Sequence, residues 1–234
     1  MNLLLLAPSQ LASDGVATLD ERQRRHVRRV LGKSIGDTLV VGELGGRVGE
    51  GVIEALSEGQ GRVRCTFDRD PPAPSRVTLV LALPRPPMLR RVLGHVTAMG
   101  VKRIALVGAN RVEKSFWDSH SLATAAIDEQ LRLGLEQAGD TVLPQVSLHR
   151  RFRPFVEDEL PTWPAARHRF VADAGPTANE APPDGSVLVA IGPEGGWVDF
   201  ERERWADAGL STFSLGPRPL RVETAVVAAV SRLG

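Results

Sequence analysis

Val187-Leu188-Val189-Ala190-Ile191, followed at once by Gly192-Pro193-Glu194-Gly195-Gly196, is the stretch that decides the architecture of this 234-residue chain. Five unbroken apolar residues suit a strand covered on both faces, as in a parallel sheet. Three glycines and a proline then fix a tight turn where a backbone can approach a ligand closely, although an ordinary Gly-Pro turn would read the same. Open parallel sheets bind ligands beyond the carboxyl ends of their strands, which is where this turn falls. The spacing is neither a Walker loop nor a Rossmann fingerprint; the Gly-x-Gly pair Gly49 and Gly51 has Glu54 where a third glycine belongs, and the pair Gly59 and Gly61 has Arg64 there.

Working outward, the same alternation recurs. Val77 to Leu83 is another apolar run, and Leu89, Val92, Leu93, Val96 and Met99 follow at helical spacing with Gly100 at the C-cap position. Ile104 to Val107 predicts a strand, residues 121–138 a long helix, and Phe170 to Ala172 a further strand. Asp199 to Ala208 predicts a polar-faced helix, Thr212 to Leu215 a strand, and Glu223 to Leu233 a closing apolar helix. This is the pattern of an α/β domain, a mostly parallel sheet with helices on both faces. Upstream, Leu39 to Val41, Arg47 to Leu56 and Arg62 to Phe67 alternate between glycine turns and predict a small β-rich unit with one helix near Asp20 to Leu31. Pro71-Pro72-Ala73-Pro74 breaks regular structure, so the expected domains are 1–72 and 75–234. Pro161 to Pro164 and Pro176 to Pro183 read as surface loops.

Composition narrows the class. With 29 basic against 28 acidic residues, nothing repels the chain into disorder. Cys65 is the single cysteine, which excludes an intrachain disulfide or a multi-cysteine metal cluster. The five histidines lack ligand spacing, so no metal is expected. No apolar run reaches the ~18 residues of a membrane span, and Leu3 to Leu6 lacks the basic flank of a signal peptide, so the expected location is the cytoplasm and no membrane partner is expected. No serine-hydrolase elbow occurs. Charge is uneven, with 12 basic and 6 acidic residues over 76–154 and 7 and 12 over 155–234. A basic middle is compatible with a polyanion partner.

A second Gly-Pro turn, Leu215-Gly216-Pro217-Arg218, leads into Leu220-Arg221-Val222-Glu223-Thr224. Two such elements can form one composite pocket, with Thr224 capping the last helix and Arg218 and Arg221 offering guanidinium donors to phosphate or carbonyl oxygens. Paired surface charge is the plainer role for both arginines. Arg22, Arg24, Arg25, Arg28, Arg29 and Lys33 form a basic knot, and their spacing predicts Arg22, Arg25, Arg29 and Lys33 on one helical face. That stripe fits either a nucleic-acid backbone or simply solvent. Trp197 reads as packing, or as a ring that stacks on a ligand.

Ile191 to Trp197 together with Leu215 to Ala225 resembles the RsmE-type ribosomal RNA methyltransferases, SPOUT-class enzymes. His26-Val27-Arg28-Arg29-Val30-Leu31 before Gly36-Asp37 is similar to that family's PUA-like RNA-binding module, and Gly100-Val101 and Glu136-Gln137 also match. The resemblance implies a trefoil knot near 187–226, a small N-terminal β-barrel and a homodimer. It implies S-adenosylmethionine held by Ile191, Gly192, Gly195, Gly196, Leu215, Gly216, Leu220 and Thr224. The implied reaction is methylation of a uridine N3 in small-subunit rRNA or the 30S subunit, with Arg22, Arg25, Arg28, Arg29 and Lys33 on the RNA. Arg221 is expected to stabilise the uracil anion, Glu223 to orient it or accept the proton, and Arg218 to place a phosphate. Met1 to Leu4, Arg85-Pro86-Pro87-Met88-Leu89 and Ala138 to Thr141 depart from the family pattern, which leaves open another RNA such as tRNA, or a non-catalytic RNA-binding or assembly protein.

Overall fold

The structure, a computed structural model, describes residues 3–173 and 184–234. They form two compact units, one of Met1–Ala73 with Arg132–Leu143, the other of Pro74–Leu131 with Pro144–Gly234.

The first unit is a mixed five-stranded sheet ordered β1-β3-β4-β5-β2. Its strands are β1 (Leu4–Leu6), β2 (Val16–Thr18), β3 (Thr38–Glu43), β4 (Val48–Leu56) and β5 (Gly61–Arg69). β1 runs parallel to β3 and the remaining pairs are antiparallel. Period-two alternation sends Leu39, Val41, Ile53, Val63 and Cys65 inward, where Leu4, Leu6, Leu19 and Val27 meet them. Burial pushes the Cys65 thiol up to about 11, so it stays protonated. Helix α1 (Glu21–Arg29) starts at a capping box in which Asp20 accepts from the Gln23 amide and the Gln23 side chain accepts from Asp20. It stops at Arg29, and Gly32 then takes φ of 61°.

The second unit is a six-stranded sheet, parallel throughout, ordered β11-β9-β10-β6-β7-β8. From β6 onward the elements run β6 (Val77–Ala82), α2 (Pro86–Ala98), β7 (Arg103–Val107), α3 (Thr124–Ala138, counted with the first unit from Arg132), β8 (Gln145–His149), the short α4 (Phe152–Pro154), β9 (His168–Ala172), β10 (Val187–Ile191), α5 (Asp199–Asp207), β11 (Ser211–Phe213) and α6 (Val222–Leu233). Every residue of β10 is buried. One sheet face, including Val80, Ala82, Ala105, Leu188 and Ala190, packs against Phe152, Phe155, Trp197 and Trp205. α6 packs on β10 and against α2. The α/β architecture expected from the alternation is therefore present.

Several boundaries differ from expectation. β1, β2 and β8 are additional strands, too short or too mixed in polarity to announce themselves. The helix read over 121–138 begins only at Thr124, after two 3₁₀ turns. The strand read over Thr212 to Leu215 ends at Phe213, because Ser214 turns back to accept the Gly216 amide. Pro161 and Pro164 are exposed as expected, while Pro176 to Pro183 lie outside the described residues. Among the described residues no helix is long and apolar enough to cross a membrane.

Gly108 ends β7, and a Cβ there would sit 2.1 Å from the Arg150 carbonyl oxygen. Backbone cannot yield as a side chain does, so Gly108→Ala is expected to cost about 1–3 kcal/mol. Gly94→Ala, inside α2 with its nearest neighbour 3.8 Å away, is expected to be neutral or stabilising. Urea unfolding midpoints of the two variants test the contrast.

Candidate functional site

Beyond the carboxyl ends of β9 and β10 lies a cavity of about 330 Å³. The register puts it there: Ile191 pairs with Leu81 on one side and Ala172 on the other, so the loops leaving these strands emerge together. Ile191, Gly192, Gly195, Gly196, Leu215, Gly216 and Leu220 all line it, as does Arg218. Thr224, Arg221 and Glu223 are not part of its wall.

The two loops owe their shape to their glycines. Gly196 takes φ of 72° and donates its amide to the Pro193 carbonyl at 2.8 Å, closing the turn. Gly216 takes φ of 116° and donates to Ser214 Oγ at 3.1 Å. Gly192 lies on the Trp197 ring, since a Cβ there would approach Trp197 Nε1 to 3.1 Å. Trp197 is fully buried, edge-on to Trp205 and tilted against Phe152, so it packs in the core and offers no face to a ligand.

Three residues that sequence reasoning missed hold this region. The Arg111 guanidinium donates to the Gly195 carbonyl. The buried Glu201 carboxylate accepts from the Asn110 amide at 2.7 Å and the Val198 amide at 2.9 Å, tying the loop after β7 to the loop after β10. Asp173, at the end of β9, lines the cavity and pairs at 2.6 Å with Arg202, whose other partner is Asp199 at 2.9 Å. The hydrogen bond to Asp173 raises the Arg202 pKa further. The position of Asp173 just past a parallel strand was the available signal, and Glu201, three residues past the helix cap, was another.

At the start of α6 the structure corrects one expectation. Arg221, in extended geometry with φ of −66° and ψ of 151°, is the cap residue, and its carbonyl accepts the Ala225 amide at 2.8 Å. Thr224 therefore stands inside the first turn and does not cap it. Arg221 is exposed, lies between the lining residues Leu220 and Val222, and makes no ion pair with Glu223 among the described residues.

The basic stripe is also redistributed. α1 ends before Lys33, so Lys33 does not share a helical face with Arg22, Arg25 and Arg29. Arg22 clasps Glu136 in a two-pronged pair of 2.7 and 3.0 Å, with Glu136 fully buried. Arg25 bonds Glu21, and Arg24 donates to the Leu19 carbonyl at 2.8 Å. Arg28 and Arg29 are exposed without a side-chain partner among the described residues, and they border a cavity of about 500 Å³ with Arg24, Arg25, Ser57 and Glu58. Burial holds the His26 imidazole below its usual range, with Glu136 acting in the opposite sense.

Removing Arg22 would strand a buried carboxylate, whereas removing Arg28 strands nothing. Arg22→Ala is expected to destabilise the protein by about 2 kcal/mol, less than for a wholly buried pair because Arg22 is half exposed. Arg28→Ala should leave the thermal midpoint unchanged, and calorimetric melting of both variants checks the difference.

A family model described as an RNA methyltransferase domain matches residues 71–234. Ribosomal RNA small subunit methyltransferase E of Treponema pallidum is 32% identical, over 98% of this chain and 89% of its own. The Synechocystis protein of the same name is 26% identical, over 98% and 76%. Among solved structures, ribosomal RNA small subunit methyltransferase E of Neisseria gonorrhoeae bound to S-adenosyl methionine superposes with a TM-score of 0.76 at 21% identity, over 97% of this chain and 94% of that one. A Legionella pneumophila methyltransferase in complex with SAM gives 0.76 at 22% identity, over 98% and 95%. These two likenesses establish the shared fold.

Proposed function

Because the chain belongs to the ribosomal RNA small subunit methyltransferase E family, we propose that it transfers a methyl group from S-adenosylmethionine to the N3 of a uridine in small-subunit ribosomal RNA. The observation that carries this reading is the cavity walled by two glycine turns at the edge of the parallel sheet. Its volume falls within the range of small-molecule sites. Gly196 and Gly216 have open space where a Cβ would stand, so a side chain at either would project into free volume beside the cavity wall. Such a cradle suits a donor gripped chiefly by backbone groups. When bound, S-adenosylmethionine supplies an electrophilic methyl whose leaving group is a neutral thioether. We read residues 1–72 as a PUA-like RNA-binding module and 75–234 as the SPOUT domain with its knot near 187–226. The enzyme is then a cytoplasmic homodimer, with Arg28, Arg29 and Lys33 contacting RNA backbone.

Uridine N3 is a weakly acidic imide nitrogen that must lose its proton before it attacks. The resulting charge spreads onto two carbonyl oxygens, where an arginine stabilises the anion more than the neutral base. Arg221, unpaired and exposed beside the cavity, is that arginine. Arg218, on the cavity wall, positions a phosphate. Glu223, one helical position beyond Val222, is the carboxylate available to orient Arg221 once the base arrives, the N3 proton then passing to water, or to accept that proton itself. Holding methyl and nitrogen in line supplies much of the acceleration.

Tritiated methyl transfer to 30S subunits, free 16S rRNA and bulk tRNA from a strain lacking the enzyme tests the reading. Label should enter small-subunit rRNA. Label confined to tRNA, or RNA binding with no transfer, would replace it with another SPOUT target or with a non-catalytic role. Calorimetry should show S-adenosylmethionine binding, and a flat trace at millimolar donor would overturn the cavity assignment.

Arg221→Ala is expected to lower the single-turnover rate by about 10²–10³ while donor affinity stays nearly intact. Loss of donor binding with an unchanged rate at saturation would instead place Arg221 in the donor pocket.

A further inference from the structure

A groove of about 620 Å³ lies between the first two turns of α2 and residues 118–121, outside the cavity described above. Pro86, Pro87, Arg90, Arg91, Ser119 and His120 form most of its lining. Its one carboxylate, Asp118, is already engaged by Arg150 at 2.7 Å. Arg90 and Arg91 are exposed, and among the described residues neither side chain has a hydrogen bond or ion pair. Arg25, Arg64, Arg153, Arg202 and Arg204, by contrast, all sit on carboxylates.

The local backbone says what such a groove can hold. Pro86 and Pro87 open α2 and have no amide hydrogen, and the Met88 amide already donates to the Arg85 carbonyl at 2.9 Å. An anion here is thus met by guanidinium side chains rather than by free helix amides. The prolines add an apolar floor suited to a ribose or a base face. Placement is equally specific. β6 and β10 are neighbouring parallel strands, so the segment leading into α2 and the glycine loop leave the same edge side by side. α6, whose first turn lines the cavity, packs against α2.

We infer that this groove holds the sugar-phosphate backbone of the substrate RNA as it leads away from the target nucleotide beside the cavity, with Arg90 and Arg91 each on a phosphate. The inference rests on the methyltransferase reading above and extends it to the path of the flanking strand. Both arginines supply affinity and register and take no part in the methyl transfer itself.

The test compares wild-type protein, the Arg90→Ala/Arg91→Ala double variant and an Arg47→Ala/Arg153→Ala control that removes equal charge elsewhere. Both target arginines are exposed on a helix that tolerates alanine, so folding should survive. Binding to free 16S rRNA is titrated across a salt series, donor binding is measured by calorimetry, and methylation of 30S subunits is resolved into KM and kcat. The double variant should bind rRNA about tenfold more weakly than the control at low salt. Its slope of log affinity on log salt should be shallower by about 1.4–1.8, the equivalent of two phosphate contacts. Its KM for RNA should rise, with donor affinity and kcat unchanged. If its affinity, salt slope and KM match those of the control, the groove is not an RNA path, even where the wild type methylates normally. If the wild type transfers no methyl yet the double variant still loses affinity and slope, the groove stands and the reading of the reaction falls.

Discussion

Everything at the candidate site depends on the in-register pairing of β10 between β6 and β9. Parallel strands must return by crossovers, so all their carboxyl ends collect on one edge. Ile191 is the last paired residue, flanked by Leu81 and Ala172, and beyond it the chain has no ladder partner. The backbone groups freed at that edge have to turn, bond to each other or meet a ligand. Because β10 is buried on both faces, it has no room for a polar side chain, and chemistry is displaced into the loops.

Those loops are short of regular structure yet well held. Trp197 forms a floor beneath Gly192 and stands on Trp205 and Phe152, with ring centroids 5.4 and 5.8 Å away. Such aromatic contacts add about 0.5–1.5 kcal/mol each beyond burial. Among the described residues the buried Trp197 Nε1 group has no hydrogen-bond partner, a cost the packing must exceed. Above this floor, Glu201 joins two loops through their amides and Arg111 fastens the Gly195 carbonyl. The cavity walls are therefore ordered by groups that need not touch its contents, which lowers the ordering cost of binding.

Periodicity made the second unit legible. The strands at Val77, Ile104 and Val187 and the helices at 86–98 and 222–233 all carry strong apolar runs or stripes. What stayed hidden has physical causes. Strands of three residues such as Leu4–Leu6 and Val16–Thr18 are fixed by their neighbours, since local pattern is too brief to specify them. Residues 132–143 belong to the first unit although they lie within the chain of the second, and only contacts made on folding reveal it, such as Leu135 packing with Leu3, Leu5 and Val48 and the pair of Glu136 with Arg22. At the site, glycine turns were visible because glycine has a conformational meaning of its own. Arg111, Asp173 and Glu201 were not, because an acidic or basic residue acquires meaning only from the partner that folding brings to it.

The arginines show this last point most sharply. Spacing places Arg22, Arg25 and Arg29 on one side of α1 and treats them as equal. Folding separates them: Arg22 compensates a carboxylate with no exposed surface, Arg25 is paired along the helix, and Arg29 is unpaired among the described residues. A cation already committed to a carboxylate must leave it before it can neutralise a phosphate, and so releases less counterion free energy on binding. The electrostatic footprint that a polyanion meets is hence the set of uncommitted guanidiniums rather than the arginine content. On α1 that set is Arg28 and Arg29; on α2 it is Arg90 and Arg91, a short pair that the sequence, dominated by the longer knot at 22–33, gave no reason to single out.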